Sequence, residues 1–265
     1  MTEPSIRNQL YFGADPANYD AARPPYPERV YQLLRQRCGL GGDGHSTAVV
    51  EIGPGTGLAT RRLIAEGADP FVVVEPDERL ARFLTEALGE AVEVRIEPFE
   101  QTTLPAGSFD LVVAATAFHW LEQEAALAQA GRILRRGGWL ALWWNLFGDP
   151  VFHDAFHEAT TAVLPPLLGP SAAPGTPFAL DVAARAADIA ASGLFEPAEH
   201  EILYWESRMD SGEIRALYAT FPHISSLPTP ERDRVLDDLA RIARDEFHGE
   251  VKRTFATAIY TARRR

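Results

Sequence analysis

Between residues 47 and 145 the chain alternates short apolar runs with amphipathic stretches, and that alternation restricts the fold more than any other feature. Residues 47–53 (TAVVEIG) form an apolar run that ends in glycine, which suits a strand buried on both faces. Residues 57–66 follow as a helix. Residues 71–75 (FVVVE) read as a second strand, and 77–88 as a helix with Asp77 placed to cap it. Residues 91–97, 109–116 (FDLVVAAT) and 138–145 (GWLALWWN) read as further strands. Between the last two, 122–134 is a helix closed by Arg135, Arg136 and Gly137. Strands and helices alternating at this spacing predict an α/β fold with a mostly parallel sheet and helices on both faces. Such sheets bind ligands beyond the carboxyl ends of their strands, where the strand order reverses.

The pattern changes after residue 146. Residues 147–177 carry Pro150, Pro165, Pro166, Pro170, Pro174 and Pro177, so an irregular stretch is expected, with a short helix over 152–164. A helix over 183–192 ends at Gly193. Residues 199–209 and 253–263 read as strands, with helices over 212–221 and 231–247 between them. This order predicts a helical lid inserted between the last strands. The expected organisation is an amino-terminal cap over 1–45, a core over 46–146, and lid helices with completing strands over 147–265, all in one compact domain.

Composition removes several function classes. The formal net charge of −12 disfavours a nucleic-acid partner, whose phosphates need a basic surface. The Arg263, Arg264 and Arg265 run reads as a solvated tail. Cys38 is the single cysteine, which excludes an internal disulfide and disfavours a thiolate-rich metal site. The first seven residues lack a basic-then-apolar leader pattern, and no apolar run reaches the roughly 20 residues of a membrane span. A cytoplasmic protein, monomer or homodimer, with no membrane partner, is the expectation.

The turn after the first strand reads Glu51-Ile52-Gly53-Pro54-Gly55-Thr56-Gly57. Its glycines permit a tight turn and let the backbone approach a ligand. A dinucleotide fingerprint places its third glycine at position 58, where Leu58 stands. Glu51 sets a carboxylate beside the turn, hostile to phosphate and suited to an ammonium group. Glu75 ends the second strand, where a carboxylate accepts hydrogen bonds from ribose hydroxyls. A ligand with an amino-acid end and a ribose therefore fits better than NAD, and an NAD-dependent oxidoreductase is disfavoured.

These motifs, with several others, resemble the class I S-adenosylmethionine (SAM)-dependent methyltransferases, in the broad group that includes trans-aconitate methyltransferases. The resemblance extends to Tyr19-Asp20-Ala21-Ala22-Arg23-Pro24-Pro25-Tyr26-Pro27, to Ser108-Phe109-Asp110-Leu111-Val112, to His119-Trp120, and to 132–138 (RILRRGG). It continues through 221–232 and 260–264, so it covers nearly the whole chain. It implies a Rossmann-like SAM-binding core, with S-adenosylhomocysteine as product. Gly53, Gly55 and Gly57 would lie along the methionine and sugar, with Glu51 near the amino group and Glu75 on the ribose. Tyr19 and Arg23 would close over the cofactor, Arg23 pairing with the methionine carboxylate. The adenine is expected near 97–100, with Phe99 against the ring and Pro76 and Ala115 nearby. Many relatives carry an acidic residue where this chain has Pro98, which leaves Glu97, Glu100 or a water for the adenine amino group.

Methyl transfer from a sulfonium requires alignment, exclusion of water and sometimes removal of a proton. His119, just past the fourth strand, is either a general base or a part of the pocket floor. His223 is either an acceptor contact or a surface histidine. Trp120, Trp143, Trp144 and Phe147 gather near the ends of two strands, and strand alternation lets only some of them face a pocket. Trp120, Asn145 and Phe221 are the candidate contacts to substrate. His153 and His157, four apart, read as a solvated face, so no metal site is expected. The function expected is methyl transfer to a small organic molecule, an organic acid or secondary metabolite. The alternative is a SAM-binding protein that transfers no methyl group, such as a cyclase-type enzyme or a binding module.

Overall fold

A computed structural model describes residues 15–147, 153–164 and 176–265. The amino-terminal residues read for a leader, and Pro150, Pro165, Pro166, Pro170 and Pro174, lie outside the described residues. Seven strands form one sheet: β1 (Thr47–Ile52), β2 (Ala68–Val74), β3 (Glu93–Arg95), β4 (Phe109–Ala115), β5 (Leu134–Phe147), β6 (Glu199–Met209) and β7 (Val251–Arg263). Their spatial order is β3-β2-β1-β4-β5-β7-β6. The first five run parallel, and β7 pairs antiparallel with both β5 and β6. The order reverses between β1 and β4, so the crevice for a ligand opens beyond their carboxyl ends.

Strand alternation sends two sets of side chains to opposite faces. Val50, Ile52, Val112, Leu142 and Trp144 pack against α5 (Gln123–Ile133) and α7 (Val182–Ala191). Val49, Val73, Val113, Ala141 and Trp143 pack against α2 (Glu28–Cys38) and α3 (Leu58–Ala65). Helices therefore cover both faces, as the buried runs require. Asp77 caps α4 (Glu78–Leu88), accepting from the amide of Arg79. The strand expected to begin at residue 138 begins at Leu134, because Leu134 is already extended as it caps α5 and pairs with Phe109.

A third apolar cluster sits under the far ends of β6 and β7. It joins α6 (Ala155–Thr160), α8 (Ser211–Ala219), α9 (Pro222–Ser225) and α10 (Thr229–Asp245) to Met209, Val251 and Phe255. Helices α8 to α10 lie between β6 and β7 in the chain, which is the insertion the sequence predicts. Across the mouth of the crevice runs α1 (Pro16–Ala22), tied to α3 by the Asp20–Arg61 ion pair and to α8 by Asn18 donating to the Ala216 carbonyl.

Candidate active site

A cavity of about 540 Å³ opens at the reversal point and reaches from the glycine turn to the lid. That volume lies in the ordinary range for small-molecule sites. Gly53 and Gly55 line it, with backbone φ of 59° and 60°. A Cβ on Gly53 would meet the Cβ of Ala117 at 2.7 Å, so the close approach of the β1 and β4 ends needs glycine there. A Cβ on Gly55 would meet nothing within 4 Å; the position is kept open.

Glu75 is buried against the same turn. One carboxylate oxygen accepts from the Gly55 amide at 3.1 Å and the other from the Asp77 amide at 3.0 Å. Burial raises its pKa to about 7 despite those two amides. Glu75 lines the cavity, and each oxygen can accept a further hydrogen bond. Pro76, Pro98, Phe99, Glu100 and Ala115 line the cavity beside it, with Phe99 buried in the wall. Glu100 holds the amide of Glu122 at 3.1 Å, whereas Glu97 accepts from the Thr102 hydroxyl and lies outside the lining.

Two members of the glycine motif do not reach the cavity lining. Gly57 caps α3 in a left-handed conformation, and a Cβ there would strike Leu84 at 2.8 Å. Glu51 is buried behind the turn and accepts from the Thr60 hydroxyl at 2.7 Å. Burial raises its pKa to about 8. Its other oxygen is buried without a partner among the described residues.

The lid side holds the candidate acceptor residues. Arg23 is 9% exposed, and its guanidinium lies 4.3 Å from the Phe147 ring centroid and 4.9 Å from those of Tyr19 and Phe221. One nitrogen donates to the Thr220 carbonyl at 3.2 Å. No carboxylate pairs with Arg23 among the described residues, and its Nε has no partner there. Asn145 lines the cavity but its amide is engaged at both ends, donating to the Pro24 carbonyl at 3.4 Å and accepting from Thr257 at 2.7 Å. It anchors the amino-terminal segment to the sheet.

His119, Trp120, Phe147 and Phe221 line the cavity. Trp143 instead packs edge-on against Tyr26 in the second core, and Trp144 lies in the first. His223 stacks on Phe221 with centroids 5.7 Å apart and is not among the residues that line the cavity. His119 accepts the Trp144 indole N–H on Nδ1 at 3.0 Å, and burial lowers its pKa to about 4.

Sequence reasoning missed Thr116. This β-branched residue has φ of 57°, a costly conformation without a glycine to mark it, and its hydroxyl lies 3.0 Å from that of Tyr26. The His153 and His157 rings lie 4.0 Å apart, tilted by 34°, and no group of three metal-ligating side chains forms among the described residues. No described helix is long and apolar enough to cross a membrane.

Residues 50–142 match a family profile described as a methyltransferase domain. An uncharacterized methyltransferase of Schizosaccharomyces pombe is 25% identical over 231 residues, spanning 87% of this chain and 86% of the relative. An uncharacterized methyltransferase of Mycobacterium tuberculosis is 33% identical over 136 residues, 51% of this chain, and that match spans only about half of the relative, 52%. Among solved structures, a protein of Anaeromyxobacter dehalogenans, provisionally named a type II methyltransferase, superposes with a TM-score of 0.61 at 22% identity, covering 91% of this chain and 97% of that one. The domain match and the relatives, all named methyltransferases, show what residues 50–142 are similar to, and the solved structure shares the fold of the chain.

Proposed function

We propose that the chain transfers a methyl group from SAM to a small organic acid. When bound, SAM supplies an electrophilic methyl on a sulfonium sulfur. The pair of amide-anchored oxygens on Glu75, facing a cavity beside Gly53 and Gly55, is the observation that carries the cofactor half. Such a carboxylate binds two ribose hydroxyls. Phe99 and Pro98 offer an apolar wall to the adenine.

Arg23 carries the acceptor half. A buried guanidinium without a carboxylate partner is costly, and an anionic ligand relieves that cost. Its partners are the Tyr19, Phe147 and Phe221 rings and the Thr220 carbonyl, so it faces the lid rather than the glycine turn. We assign it to the acceptor carboxylate in preference to the cofactor's own. A carboxylate nucleophile has no proton to lose, so this chain's residues need only bind it, orient it and exclude water.

The test is incubation with SAM and a panel of small carboxylic acids, read by mass spectrometry for a methyl ester and S-adenosylhomocysteine. Arg23→Gln should then raise KM for the acid about 10-fold or more while S-adenosylhomocysteine affinity holds, the loss of one charge-assisted contact. A loss of S-adenosylhomocysteine affinity instead would return Arg23 to the cofactor.

A further inference from the structure

We propose that His119 faces the acceptor as a fixed, neutral Nε2–H donor, and that Trp144 is the positioning residue that sets this tautomer. The identity of the ligand rests on the methyltransferase reading above; the tautomer does not. An indole N–H can only donate, so the 3.0 Å contact from Trp144 occupies the lone pair of Nδ1. A neutral imidazole then carries its single proton on Nε2. That nitrogen has no partner among the described residues, and the ring lines the cavity.

The frame behind the pair is rigid. Trp144 is 3% exposed and packs edge-on against Phe178 at 5.5 Å and Tyr260 at 6.1 Å. The Tyr260 hydroxyl donates to the Ala179 carbonyl at 2.7 Å and pins the turn Phe178–Leu180, whose Phe178 ring lies 6.0 Å from that of His119. Arg185 covers the Phe178 ring at 3.4 Å and pairs with Asp188, while His200 stacks on Tyr260 at 6.0 Å. The other charged groups on the cavity are Arg23, Glu75, Asp77 and Glu100. None of these charges contributes to the lowering of the His119 pKa, whose cause is burial alone.

Two consequences follow for chemistry. The Nε2 atom has a proton to offer and no lone pair to take one, so His119 does not act as base. Together with Arg23, it makes the acceptor side of the cavity rich in donors, which suits an oxygen lone pair and refuses an ammonium group. His119 thereby selects the same kind of acceptor that Arg23 attracts.

Nitrogen-15 NMR of the histidine rings in the ligand-free protein tests this directly. The expected spectrum at pH 7 shows His119 protonated on Nε2 and bare on Nδ1, with a titration midpoint well below 6.5. Trp144→Phe should mix the tautomers and move the midpoint upward. A proton on Nδ1, or a midpoint near 6.5 in the unaltered protein, would overturn the proposal whether or not the variant folds. Sodium formate should then shift the Nε2–H resonance saturably, and sodium chloride at equal ionic strength should not. Absence of a saturable formate shift would remove the contact to the acceptor. None of these readouts uses SAM, so their failure is distinct from failure of the cofactor assignment, which would appear as absent S-adenosylhomocysteine binding beside an unchanged tautomer.

Discussion

Each oxygen of Glu75 holds one backbone amide, and each keeps room for a ligand hydroxyl. On the proposed assignment, replacing it with alanine would remove two charge-assisted contacts to the ribose, each worth about 1.5–3 kcal/mol. Glu75→Ala should therefore weaken SAM roughly 100-fold or more in calorimetry, while the secondary structure by circular dichroism stays intact. Unchanged affinity would contradict the ribose assignment. The place of Glu75 at the cavity was legible in the sequence, because a carboxylate ending the second strand has a fixed position in such sheets. Three other features were not. The aromatic box around Arg23 draws Phe147 and Phe221 from distant stretches, the positive φ of Thr116 has no glycine to announce it, and the Trp144–His119 bond joins residues 25 apart. Motif spacing also does not tell a residue that lines the cavity, such as Gly53 or Gly55, from one set behind the turn, such as Glu51 or Gly57.

At the level of elements, β7 is fastened to the lid region by a buried ion pair. Asp154 caps α6, accepting from the His157 amide at 2.8 Å, and also accepts from the Thr254 amide at 3.1 Å. It pairs with Arg253 at 3.0 Å, both side chains being nearly excluded from solvent. Asp154→Ala strands a buried guanidinium and removes a cap, a loss of about 3–5 kcal/mol. Thermal unfolding should fall on the order of 10 °C for a domain of this size. A change under 2 °C, within experimental scatter, would mean the pair contributes nothing measurable. The elements themselves were well marked: β6 spans the residues its alternation indicated, and Asp77 caps α4 where a capping residue was read. The departures sit at element ends, where Leu134 leaves its helix directly into β5.

For the molecule as a whole, the two buried carboxyls set the pH dependence. The folded chain raises Glu51 to about 8 and Glu75 to about 7, from an ordinary 4.5. The folded form thus holds protons that the unfolded form has released. Their contribution to stability is full below about pH 4.5 and is lost as pH rises through 7 to 8. Thermal unfolding of the ligand-free protein should therefore occur at progressively lower temperature as pH rises across that window, once the background from the other carboxylates is subtracted with the Glu51→Gln and Glu75→Gln variants. A pH profile identical in the unaltered protein and both variants would contradict the burial of these groups. Cofactor affinity should run the opposite way, because Glu75 accepts ribose hydroxyls best when ionised, and SAM should weaken as pH falls below about 7.

The central claim is that the cavity at the β1–β4 reversal holds an adenosyl sulfur compound by way of Glu75 and the glycine turn. Isothermal titration calorimetry with S-adenosylhomocysteine and, separately, with NADH tests it most directly. The account predicts saturable one-to-one binding of S-adenosylhomocysteine that Glu75→Ala weakens roughly 100-fold or more, and no heat with NADH. Saturable NADH binding with none for S-adenosylhomocysteine would contradict it.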